Sequence, residues 1–183
     1  VQLDNVRRFP GYLDDYANLI LSYEYMKPEA PDINNAFAAW VRSGGTLIYL
    51  GDGSDPYHTV DGWWNRGKAN YENPAQHLFE MLDLSRKPED GVYEVGKGRV
   101  AVWNIAPAKL CTTRALAEEY RTFVKDVLAK GGSNWEYGNQ LTLRRGPYII
   151  SAVLDESVSD ESHTFKGLFA DMLENDYKIL TEK

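Results

Sequence analysis

Asp52, Asp55, His58 and Asp61 recur at three-residue spacing inside a stretch, Gly51 to Tyr71, that also carries Tyr57, Trp63, Trp64, Asn65 and Arg66. On a helix that spacing would converge carboxylates and an imidazole on a metal ion. Gly51, Gly53 and Pro56 oppose a helix, so no metal and no cofactor is expected. Aromatic faces beside carboxylates, an amide and a guanidinium also suit a sugar, which stacks its C–H faces and hydrogen-bonds its hydroxyls. In that chemistry Asp52 and Asp61 would be the carboxylate pair of a glycoside-processing site. The rival reading has Trp63 and Trp64 anchoring the loop or packing on another domain. It is preferred, because aromatics are enriched at interfaces.

The remaining reactive residues are sparse. Cys111 is the only cysteine, which excludes an internal disulfide. It precedes a long helical pattern with no histidine nearby and is expected to be a small buried hydrophobe. His77 reads as a packed or surface histidine, and His163 has no evident partner. Asp155 to Ser162 is acidic but lacks the glycine and terminal glutamate of a calcium loop, so it reads as a solvated turn.

The elements that must position these residues follow from periodicity. Ala17–Tyr23 and Thr46–Leu50 are short apolar runs expected as buried strands. Between them Ile33, Phe37, Trp40 and Val41 share one helical face, with Asp32 expected as the cap and Gly44-Gly45 as the stop. Strand, helix, strand with short connections makes a parallel crossover. The loop from Gly51 to Tyr71 is long for a connection inside a compact domain, a length usual for functional loops. Asn73-Pro74-Ala75-Gln76 then supplies a cap, a first-turn proline and a capping-box glutamine for a helix burying Leu78, Met81 and Leu82.

Gly91–Val95 and Arg99–Ile105 flank Gly96-Lys97-Gly98 as a hairpin. A helix over about 112–130 follows, with Leu116, Tyr120, Phe123, Val124, Val127 and Leu128 inward and Gly131-Gly132 at its end. Beyond it, 141–143, 148–154, 164–169 and 177–180 read as strands of an antiparallel meander, the start of a β-sandwich. The domain division is therefore 1–133 and 134–183.

Composition sets limits on function. The chain of 183 residues carries 20 Lys+Arg against 27 Asp+Glu, a formal charge of −7. An acidic chain makes a poor partner for nucleic acid, and no apolar run reaches the roughly 18–20 residues of a membrane helix. Because it opens on Val1, the chain reads as a segment of a longer protein.

The strand at Tyr16–Tyr23, the helix ending Phe37-Ala-Ala-Trp-Val-Arg-Ser-Gly-Gly45 and the strand Thr46–Gly51 resemble class I glutamine amidotransferase-like domains. Gly98–Trp103 with the long helix after it is similar to the closing hairpin and helix of that group. The resemblance spans about 12–132 and is nearer to the middle domains of β-galactosidases and related carbohydrate-active proteins, which keep the fold without the catalysis. It implies a flavodoxin-like α/β three-layer sandwich with a mostly parallel sheet. Catalytic members carry a cysteine after the strand that here is Thr46–Leu50, where this chain has Gly51-Asp52-Gly53. After Trp103 it reads Asn-Ile-Ala-Pro-Ala-Lys, without the family's histidine. A carboxylate cannot form the thioester that glutamine hydrolysis requires. The expectation is a non-catalytic accessory or assembly domain whose partners are other domains of the parent chain or carbohydrate, with homo-oligomers allowed. The alternative is a sugar-binding module or glycoside hydrolase using residues 51–71. The resemblance slightly favours a periplasmic or secreted bacterial protein.

Overall fold

Two parallel strands and the helix between them frame the molecule: β1 (Asn18–Leu21), α2 (Pro31–Ser43) and β2 (Thr46–Leu50), preceded by α1 (Leu3–Arg8). The structure is a computed structural model that describes residues 2–135, 138–154, 161, 164–173 and 177–182. The expected acidic turn at 155–162 apart from Glu161, His163, and the turn at 174–176 lie outside the described residues. Two compact units divide the chain, residues 1–135 and 136–183.

In the first unit, α3 (Pro74–Met81), β3 (Gly91–Val95), β4 (Gly98–Trp103) and α4 (Arg114–Lys130) complete a four-stranded sheet of order β1-β2-β4-β3. β1, β2 and β4 run parallel, and β3 pairs antiparallel with β4 as the expected hairpin. All five residues of β2 are buried, because successive side chains meet helices on opposite faces. Leu47 and Tyr49 join Ile33, Phe37, Val41 and Leu78 on the face of α2 and α3. Ile48 and Leu50 meet Val124 and Val127 of α4 on the other. Gly98 lets the closing hairpin approach α2: a Cβ there would lie 2.1 Å from the carbonyl of Val41 and 2.3 Å from that of Gly45.

Local details depart from the sequence reading in instructive ways. Ala30 rather than Asp32 occupies the N-cap position of α2, with no side-chain cap bond, because Pro31 fits the first helical position, where no N–H is needed. Asp32 sits in the first turn instead, 3.0 Å from Arg7 Nε. Gly44, at φ 133°, closes the helix as expected. Asn73 caps α3 by accepting from the amides of Ala75 and Gln76, while Gln76 accepts from the amide of Glu72 instead of closing the box on Asn73. β1 stops at Leu21, short of Tyr23. Cys111 is exposed, contrary to the buried position expected of it: it lies in the short turn before Thr113 caps α4.

The second unit contains β5 (Gln140–Arg145), β6 (Tyr148–Val153), β7 (Lys166–Ala170) and β8 (Ile179–Glu182). Among the described residues they form two two-stranded antiparallel sheets, β5-β6 and β7-β8, and no continuous meander. The architecture is mixed α/β, a mostly parallel sheet followed by small antiparallel ones.

Candidate functional site

Because β1 and β2 are parallel neighbours, the segments leaving them, 22–28 and 51–71, emerge at the same sheet edge. Each uses a carboxylate to satisfy the other's backbone. Glu24 accepts from the amides of Gly53 and Asp55, both at 3.1 Å. Gly51 makes the approach possible, since a Cβ there would stand 3.1 Å from Glu24 Oε1. Asp55 returns the exchange: its Oδ2 accepts from the Tyr25 amide at 2.5 Å and from the Lys27 ammonium. Its Oδ1 accepts from the Tyr57 amide at 2.9 Å and so caps a 3₁₀ turn, Pro56–Thr59. Tyr25 sits at φ 60°, a costly conformation for a residue with a Cβ, held by that bond to Asp55.

His58, from the 3₁₀ turn, completes the cluster. In such a turn residues three apart eclipse, so Asp55 and His58 fall on one side. No α-helix forms over 51–71, as the glycines and Pro56 implied, but Pro56 at the first position suits this short 3₁₀ turn. The His58 ring is 5% exposed, with Nε2 3.7 Å from Glu24 Oε2. That is beyond hydrogen-bond length, and neither ring nitrogen has a hydrogen-bond partner among the described residues. Burial and the nearby Lys27 charge lower its pKa, against the opposing pull of Glu24 and Asp55. Burial alone would raise the Asp55 carboxyl, but Lys27 and the two amides outweigh it and bring the pKa down to about 2. Lys27 also donates to the Tyr23 carbonyl at 2.7 Å, so one ammonium bridges both segments.

The other expected site residues are not gathered here. Asp52 pairs with Lys109 at 2.6 Å and accepts from the Ser54 amide. Despite burial, those bonds lower its pKa to about 2. Asp61 takes both guanidinium contacts of Arg66 on the surface. The two carboxylates suggested as a pair are thus each engaged by a different cation. Asn65 bridges the Gly62 amide and the Val60 carbonyl, both at 2.9 Å, within its own loop. Trp64 is buried and donates to the His58 carbonyl, while Trp63 donates to the Pro28 carbonyl. Trp63 also lies edge-on to His77, whose Nδ1 is 3.1 Å from Asn34 Nδ2, so this histidine is packed. Of the nine, Tyr57 alone offers an exposed aromatic ring, edge-on to exposed Tyr25.

Sequence reasoning missed Glu24, Tyr25 and Lys27. The available signal was their position just past a buried strand, on the edge where parallel sheets place their sites. Two surface depressions bordered by Asp14, Trp40 and Ser43 lie beside the C-terminal end of α2, and no residue of 51–71 lines them. No helix is long and apolar enough to cross a membrane among the described residues. Comparison with family models, with curated proteins and with solved structures returned no match.

Proposed function

We propose that residues 1–135 serve as a non-catalytic accessory domain, flavodoxin-like and glutamine amidotransferase-like in architecture, within a larger carbohydrate-active protein. The carrying observation is how the loop after β2 uses its polar groups. Asp52, Asp55, Asp61, Asn65, Arg66 and both tryptophan N–H groups are bonded within the protein. That is the economy of a folded cap over the sheet edge. Gly51-Asp52-Gly53 stands where catalytic relatives of the resembled family would need a nucleophilic thiol. Beside exposed polar groups such as Asp61, Arg66 and Lys68, this edge leaves apolar side chains outward: Tyr25, Met26, Tyr57 and Val60 are all exposed. Such a surface suits packing against a further domain.

The sugar-binding reading keeps one specific support, the exposed Tyr25–Tyr57 ring pair, centroids 6.2 Å apart, which offers stacking faces. Calorimetric titration of the chain with an oligosaccharide panel, run beside a Tyr25→Ser/Tyr57→Ser variant, separates the two. The accessory reading expects no heat from any sugar, and weakened assembly of the full-length protein when it carries the double variant. Saturable heat that the variant abolishes would overturn it in favour of a recognition module.

A further inference from the structure

We propose that Glu24, Asp55 and His58 form a binding site for a divalent transition metal, best matched by Zn²⁺, for which the Lys27 ammonium bonded to Asp55 competes. This inference does not depend on the accessory-domain reading.

The donor set comes first. One imidazole nitrogen and two carboxylate oxygens lie within 4.8 Å of one another, all from buried residues. Two donors on a tetrahedral zinc, with bonds of about 2.1 Å, stand about 3.4 Å apart. The 3.7 Å between His58 Nε2 and Glu24 Oε2 is close to that span and too long for a hydrogen bond. A mixed imidazole and carboxylate set favours zinc over the oxygen-seeking magnesium and calcium ions.

The unpartnered ring is the second, independent observation. Buried polar groups nearly always find a partner, yet both nitrogens of His58 lack a hydrogen bond among the described residues.

Both carboxylates are already oriented by backbone amides, Glu24 by Gly53 and Asp55, and Asp55 by Tyr25 and Tyr57. Outer contacts of this kind fix ligand direction. Both Glu24 oxygens and Asp55 Oδ1 each accept from one amide and keep a second lone pair, whereas Asp55 Oδ2 regains its second only when Lys27 leaves.

Charge supplies the third argument. Glu24 and Asp55 are two buried carboxylates and Lys27, bonded to Asp55, brings one ammonium, a formal excess of one negative charge. A divalent ion replacing that ammonium would balance it. Among the described residues Lys27 is anchored only through Asp55 and the Tyr23 carbonyl, and its side chain is 14% exposed, so its flexible stem has a route to solvent.

The test uses the whole chain with Cys111→Ser as background, removing the exposed thiol as a competing zinc ligand. Equilibrium dialysis against ZnCl₂ at pH 7, read by elemental analysis, should give one zinc per chain. His58→Asn should weaken binding by at least about tenfold. Lys27→Met, which removes the competing cation, should tighten it by about tenfold, and zinc should raise this variant's unfolding temperature more than that of the parent. Circular dichroism confirms that each variant is folded before its binding is compared. Absence of stoichiometric zinc in both parent and Lys27→Met, or an affinity indifferent to His58→Asn and Lys27→Met, would overturn the assignment.

Discussion

Residues 1–135 and 136–183 both contain apolar strands, but they make different use of them. In the first unit β2 is buried along its whole length, with helix side chains against each face. In the second, Leu141, Leu143, Tyr148, Ile149 and Ile150 of β5-β6 are exposed, as are Leu168 of β7 and Ile179 of β8. The paired backbone is equally regular in β2-β4 and β5-β6. Hydrogen-bonded pairing therefore does not distinguish a core from a ribbon. A second layer does, because burial of apolar area supplies the driving force and a two-stranded ribbon has no layer to bury it against.

Substitutions can break or sharpen that contrast. The largest effect is expected of Gly98→Val, whose side chain would collide with the backbone of Val41 and Gly45. It should cost about 5 kcal/mol or leave the first unit unfolded. Denaturant titration followed by tryptophan fluorescence reads this directly, since Trp40, Trp63, Trp64, Trp103 and Trp135 all lie in that unit. A stable Gly98→Val protein would mean that β4 does not approach α2 as described. Phe37→Ala follows, at about 3–5 kcal/mol, because the ring is buried among Ile33, Val41 and Leu78 and leaves a cavity.

Acid is the next lever. The Asp55 carboxyl is lowered in the folded state to about 2 from an ordinary 3.8. Its contribution, about 2 kcal/mol, is therefore complete above pH 3.8 and disappears as the pH falls toward 2. Thermal unfolding between pH 5 and 2 should show that loss, and Lys27→Met should flatten it. An unchanged acid profile in that variant would remove Lys27 as the cause. The smallest effect belongs to Leu168→Ala in the second unit, expected within about 0.5 kcal/mol on the tryptophan-detected transition. A cost comparable to that of Phe37→Ala would show that Leu168 is covered in solution and end the contrast.

Sequence by itself determined the elements whose signals are local. The face of Ile33, Phe37, Trp40 and Val41, the glycine stop at Gly44, the Asn73 cap and the hairpin about Gly96-Lys97 all rest on residues within a turn or two of one another. Caps and periodicity act over that range, so a linear reading finds them. Tertiary structure decided the rest. Asn18 pairs with Thr46 across the β1-β2 ladder, an offset of 28 residues, and Lys27 reaches Asp55 at the same offset. The exchange of carboxylates and amides between 22–28 and 51–55 thus follows from parallel pairing and has no local signature. The Asp55 cap on Tyr57 is local, but the bonds of Asp55 to Tyr25 and Lys27 and the place of His58 beside Glu24 came from that packing. A free energy that depends on desolvation and on charges brought together from distant segments exists only once the fold has assembled them.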